Sequence, residues 1–258
     1  MRYLLIIGLF CLWSVNAGAE LHTEGVKYKH GDTMLVGYLA YDDAIKGKRP
    51  GVLVVHEWWG NNAYSKRRAD QLARLGYVAF ALDMYGKGIV AKDAKEAGAL
   101  AGTYRNDRKL MRERANSGLE VLRKHELTDT KRMAAIGYCF GGTAILELAR
   151  SGAPLAGFVS FHGGLDTPDT KDAENIKGKV LVLHGGDDPN VPAELMAAFQ
   201  NEMRKAGVDW QVYIYGGAVH SFSNPESGND KSRGVAYDEK ADKRSWEAMK
   251  IFLAEIFK

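Results

Sequence analysis

Cysteine is scarce in this chain. There are two in 258 residues, Cys11 and Cys139, too few for a disulfide-built fold. Charge of one sign is also lacking: 35 Lys and Arg stand against 32 Asp and Glu, a net +3 that is spread evenly and gives no basis for binding nucleic acid. Beyond the N-terminus no apolar run approaches the roughly 18 residues of a membrane span, which excludes a multi-span membrane protein. Repeats, low-complexity tracts and Pro- or Ser-rich linkers are missing, so one domain is expected. What is present, 46% hydrophobic and 26% charged residues, suits a globular chain long enough for a sizeable α/β core.

The first nineteen residues read as an address. Arg2 gives a positive start, Tyr3 to Val15 is almost wholly apolar, and Ala17-Gly18-Ala19 fits a small-x-small cleavage site. An uncleaved anchor would want a longer apolar stretch, and Phe10 before Cys11 does not suit lipid attachment. We therefore expect export to the periplasm or the medium, with Glu20 as first mature residue and no stable membrane insertion afterwards. Cys11 leaves with that segment. Cys139 is then a single thiol in an oxidising compartment, either a buried core residue or a reactive one. Its surroundings decide between these.

Residues 26 to 41 form two expected strands around His30-Gly31-Asp32. Short apolar runs then alternate with helical patterns: strands at Gly51 to Val55, Tyr77 to Leu82, Met133 to Gly137, Gly157 to Phe161, Val180 to Leu183 and Gln211 to Tyr215. The helices fall at Ala63 to Leu75, Lys92 to Leu122 in two pieces, Thr143 to Arg150, Pro192 to Lys205 and Asp238 to Ile256. Uninterrupted apolar strands between helices predict an α/β protein: a doubly wound, mostly parallel sheet with helices on both faces. Ligands bind beyond the carboxyl ends of such strands, so the residues just after each run carry the information.

After Ile136 comes Gly137-Tyr138-Cys139-Phe140-Gly141-Gly142, a G-x-C-x-G strand-to-helix turn. The bend exposes the central side chain, the glycines remove Cβ atoms that would clash, and the next helix aims its N-terminus at the sulfur, favouring thiolate. After Leu183 comes His184-Gly185-Gly186-Asp187-Asp188, either an orienting acid or a solvated turn. After Tyr215 comes Gly216-Gly217-Ala218-Val219-His220-Ser221-Phe222. Nucleophile, acid, histidine is the chain order of the α/β-hydrolase fold. After Val55 comes His56-Glu57-Trp58-Trp59-Gly60, where this fold finds one backbone oxyanion donor, Trp58, the other being Phe140 after the nucleophile. Glu57 is then either a fourth site residue or a surface carboxylate, and Trp58 and Trp59 are pocket wall or core.

These segments, with Asp83-Met84-Tyr85-Gly86, resemble the dienelactone hydrolase family of α/β-hydrolases over about residues 50 to 225. The resemblance implies Cys139 as nucleophile, Asp188 rather than Asp187 as acid, His220 as base, and Glu57 in contact with the resting thiol. It places Tyr85, Lys87 and Ser221 as contacts of substrate or thiol. Lys87 stands where the family's dienelactone enzymes carry an arginine that grips a substrate carboxylate. Ser223-Asn224-Pro225 stands where a second arginine is expected. The expected activity is hydrolysis of a carboxylic ester or lactone through a thioester, with a small-molecule substrate and no metal or organic cofactor. Histidines 22, 30, 56, 125, 162 and 184 lack metal-ligand spacing, and the His-Gly-Gly at 162 and 184 reads as strand-end turns. Acyl transfer, thioester or peptide cleavage by the same three residues, or a thiol-sensing or binding role on a hydrolase fold, stay open. So does the assembly, monomer or small homo-oligomer.

Overall fold

A computed structural model describes residues 21–258; the segment expected to be a signal, residues 1–19, lies outside them. One eight-stranded sheet organises the chain: β1 (Leu21–His30), β2 (Thr33–Asp42), β3 (Arg49–Val55), β4 (Val78–Ala81), β5 (Thr128–Tyr138), β6 (Gly157–Phe161), β7 (Lys179–Gly185) and β8 (Trp210–Tyr215). Their spatial order is β1-β2-β4-β3-β5-β6-β7-β8. The pairs β1–β2 and β2–β4 are antiparallel and the other five are parallel. This is the α/β-hydrolase architecture that the alternation of strands and helices predicts.

The central strands are apolar at successive positions because both faces are covered. On one face Leu53, Phe80 and Ala135 pack with α3 (Arg108–Lys124) and α4 (Phe140–Arg150), through Met111, Ala115, Leu119 and Ile145. On the other, Val52, Val54, Ala79 and Ile136 meet α1 (Ala63–Arg74) and α6 (Glu239–Ile256) through Tyr64, Leu72, Met249 and Phe252. Each fully buried Val, Leu, Ile, Phe or Met among these contributes about 1.5–3 kcal/mol. Also present are α2 (Ala94–Asn106) and α5 (Ala193–Lys205). Among the described residues no helix is long and apolar enough to cross a membrane.

The helix ends follow the sequence chemistry. Asn62, Asp93, Asp107 and Asp238 cap α1, α2, α3 and α6 with side-chain oxygens. Asp107 also ends α2, which is why the long helical stretch comes in two pieces. Three boundaries differ from expectation: β1 begins at Leu21 rather than at residue 26, and two others have a clear cause. α4 begins at Phe140 rather than Thr143, and every one of its residues is buried, so it has no polar stripe to mark its start. β5 begins five residues before Met133, in a polar stretch that pairs with Arg49 and Pro50 across an irregularity of register.

Candidate active site

The crest of β5 sets the site. Cys139 caps α4 with φ 53° and ψ −116°, a left-handed conformation that an L-residue adopts only when its surroundings force it. The flanking glycines show the force: a Cβ on Gly141 would lie 2.2 Å from the Val55 carbonyl, and one on Gly137 2.1 Å from the Gly141 carbonyl. α4 has no side-chain cap; the Gly142 and Thr143 amides donate to the Cys139 carbonyl at 2.9 and 3.3 Å, and those of Phe140 and Gly141 are left without a partner inside the helix.

The structure brings Cys139, His220 and Asp188 together. His220 Nε2 is 3.0 Å from Cys139 Sγ, and its Nδ1 is 2.8 Å from Asp188 Oδ2. Asp188 is 4% exposed and its other oxygen accepts from the Asn190 amide, whereas neighbouring Asp187 is exposed and held only through its backbone. Burial alone would lower the His220 pKa; the Cys139 sulfur and Asp188 outweigh it and hold the imidazole well above its ordinary value. The loop carrying His220 is braced by residues 234–236: the His220 amide donates to the Gly234 carbonyl, and the Ala236 amide to that of His220.

Glu57 lies in the same pocket but is not hydrogen-bonded to the thiol. Its carboxylate accepts from Ser221 Oγ at 2.5 Å and Asn224 Nδ2 at 2.6 Å, while the sulfur's hydrogen bond goes to His220. Burial pushes the Glu57 pKa up, and the two donors partly offset that. A clamp from the segment after His220 therefore holds the carboxylate. Ser221 serves that clamp, and its own backbone is left-handed, with φ 60°.

Lys87 is placed differently from expectation, whereas Tyr85 stays near the thiol: burial, and then the Cys139 sulfur, push its hydroxyl pKa up. The Asp83 carboxylate gathers the amides of Tyr85, Gly86 and Gly88, each at 2.9 Å, and that of Val36 at 3.0 Å. That folds the loop back onto β2. Lys87 ends exposed at φ 54°, its amide donating to the Met34 carbonyl, and it is not among the residues lining the cleft. Tyr85 is buried, and its hydroxyl donates to the Trp58 carbonyl at 2.8 Å. It thereby fixes the peptide of the loop that carries the Trp58 amide.

The cleft above Cys139 has a volume of about 1020 Å³. Trp58, Trp59, Val90 and Val235 supply apolar wall. Arg105, Arg108 and Arg233 also line it, from the end of α2, the start of α3 and the segment before Gly234. Arg108 pairs with Asp166 at 2.6 Å. Arg105 and Arg233 form no ion pair among the described residues. No sequence signal marks these three, since arginines on helix ends and in a loop near the C-terminus carry no pattern of their own. His162 is expected only as a turn residue. His162 is in fact fully buried, with its ring centroid 5.2 Å from that of His220. Its position at the end of β6, a strand between those leading to nucleophile and acid, was the available signal.

The profile of the dienelactone hydrolase family matches residues 35–257, and the chain belongs to that family. It is a hydrolase of the dienelactone hydrolase type. A dienelactone hydrolase-like promiscuous phosphotriesterase from metagenomic libraries is similar in structure, with TM-score 0.89 and 44% identity over 93% of this chain and all of that one. A structure named m3DLH is similar at TM-score 0.89 and 41% identity, with the same coverage of both chains. Among curated proteins, a chain of Aquifex aeolicus whose name proposes carboxymethylenebutenolidase activity is 30% identical over 88% of this chain and 93% of its own.

Proposed function

We propose that this protein hydrolyses carboxylic esters or lactones through a thioester on Cys139. One observation carries the reading: the unbroken contact from Asp188 through His220 to Cys139 Sγ, at 2.8 and 3.0 Å, on a left-handed turn at a helix N-terminus. In the proposed sequence His220 takes the thiol proton while Asp188 fixes its tautomer and stabilises the imidazolium. The sulfur adds to the carbonyl carbon. The oxyanion rests on the amides of Trp58 and Phe140, each donor supporting the transition state by roughly 3 kcal/mol. The tetrahedral adduct collapses, and the imidazolium gives its proton to the departing alkoxide. Water, deprotonated by His220, then adds to the thioester and releases the carboxylic acid and free thiol. In a lactone, alcohol and acid leave as one molecule.

Arg105 and Arg233 on the cleft wall support substrates that carry a negative charge of their own. The names of the relatives, a carboxymethylenebutenolidase and a promiscuous phosphotriesterase, support ester-like substrates more broadly. The leader-like residues 1–19 support action outside the cytoplasm. Sequencing the secreted protein's N-terminus should give Glu20.

The test is to mix purified protein with p-nitrophenyl acetate and record intact mass within the first turnovers. An acetyl adduct on Cys139 is expected, and Cys139→Ala should release no p-nitrophenol above background. Wild-type turnover by Cys139→Ala would remove the sulfur from the mechanism.

A further inference from the structure

His162 is held by partners that settle where its proton lies. The Cys139 N–H is shared between the Phe161 carbonyl at 3.0 Å and His162 Nδ1 at 3.1 Å. Nδ1 accepts and so carries no proton; the ring proton is on Nε2, which donates to Ser223 Oγ at 2.8 Å. Ser223, having accepted, donates to the Tyr64 hydroxyl at 2.7 Å, and Tyr64 donates to the Ser223 carbonyl at 3.2 Å. Arg68 closes the series: Nε donates to the Tyr64 hydroxyl at 3.4 Å, Nη2 to the Ser223 carbonyl at 2.8 Å, and Nη2 also pairs with Asp242 of α6. Every donor in this buried series points in a consistent direction. A second proton on His162 would set N–H against the Cys139 N–H.

We propose that His162 is a positioning residue for the hydrolysis inferred above: a permanently neutral ring that fixes the peptide of Cys139 and the edge on which the His220 ring rests. The inference rests on that reading of Cys139 and His220. The two imidazoles meet edge to face at 70°, and Phe222 closes the other side of His162 at 5.1 Å. His162 itself has φ 40°, so the site uses left-handed backbone at Cys139, His162 and Ser221 together. The titratable and charged groups that face it are Cys139, His220, His184, Tyr64, Tyr138 and Arg68. Burial first, then His220 and Arg68, keep its pKa well below the ordinary value. A neutral ring there lets His220 become imidazolium without a second positive charge beside it.

Alkylation of Cys139 by iodoacetamide from pH 5 to 9 tests this without reference to ester turnover. In the wild type His220, 3.0 Å from the sulfur, should keep the thiol reactive at pH 6. His162→Phe keeps a flat ring but removes both hydrogen bonds. It should slow alkylation at pH 6 by about 10- to 100-fold, while the rate at pH 9 stays within about threefold. His162→Asn retains an acceptor for the Cys139 N–H and suits left-handed backbone, so it should restore the pH 6 rate to within about threefold of wild type. Long-range ¹H–¹⁵N NMR should find one histidine neutral and protonated on Nε2 throughout, a signal lost in His162→Asn. A wild-type profile in folded His162→Phe, or titration of that histidine between pH 5 and 8, overturns the inference while leaving the Cys139–His220 pair intact. No alkylation of the wild type at pH 6 overturns the hydrolase mechanism first, and this role with it. Should His162→Phe fail to fold, the NMR measurement on the wild type decides.

Discussion

Two adjacent aspartates show how much of the proposed chemistry depends on one residue's setting. Asp188 is buried against His220 Nδ1, and Asp187 is exposed one residue away. Asp188→Asn should lower kcat/KM for an activated ester by about 10³- to 10⁴-fold, because the amide favours the wrong imidazole tautomer, while Asp187→Asn should change it little. The reverse pattern would move the acid by one position. Glu57 makes a different prediction. Its pKa is raised by burial, so the folded state holds its proton to higher pH than the unfolded chain does. Stability from this group is full below the unfolded value of 4.5 and falls as pH rises through the raised folded one. Glu57→Gln can still accept from Asn224 and can donate to Ser221. Its melting temperature should exceed that of wild type at pH 8 and match it at pH 4 in paired thermal scans. Residues such as Cys139, Asp188 and His220 were legible because strand ends and glycines mark them. The fate of Glu57 was not, since its two donors, Ser221 and Asn224, lie more than 160 positions away. Lys87 misled for a local reason: Asp83 draws four amides to itself and turns the loop outward, a result no spacing conveys.

Helix α4 is the element on which the site stands, and two features hold it. Its N-terminal end fits against β3 through the missing Cβ of Gly141. Gly141→Ala should cost about 1–3 kcal/mol or more in urea unfolding, and should slow Cys139 alkylation because α4 must shift away from Val55. Its C-terminal end carries Arg150, fully buried, with Glu147 at 3.1 Å and Glu202 at 2.7 Å, while Arg112 joins Glu147 at 2.7 Å and Asp172 at 2.7 Å. Arg150→Met leaves two buried carboxylates short of a partner and should destabilise by about 3–5 kcal/mol, read by the same denaturation. Replacing Arg150, Glu147 and Glu202 together by apolar residues should recover much of that loss. Strand and helix types were legible at this scale, because period and capping residues announce them. Boundaries were less so: α4 is apolar all round, and the early part of β5 is polar because it pairs at the rim of the sheet.

The whole molecule assembles its cleft from distant parts: the corner between α2 and α3, the loops after β3 and β7, and the segment between β8 and α6. The guanidiniums of Arg105 and Arg233, without an ion pair among the described residues, come from two of these. If the substrate is anionic, added salt should lower kcat/KM for a charged ester more than for a neutral one of equal size, since the Debye length shortens from about 10 Å at 0.1 M to about 3 Å at 1 M. Removing both arginines should abolish that difference. Such a wall could not be foreseen from sequence, because nothing local says which surface arginines will share a cleft.

The separation of sulfur from imidazole also has a consequence in time. His220 is made 81 residues after Cys139. At about 5–20 residues per second, roughly 4 to 16 seconds of translation pass before the ribosome has even joined it to the chain. Until then the growing polypeptide carries an ordinary, sluggish mercaptan. On the proposed mechanism its reactivity waits for His220, so a product terminated before that residue would be chemically quiet toward its neighbours.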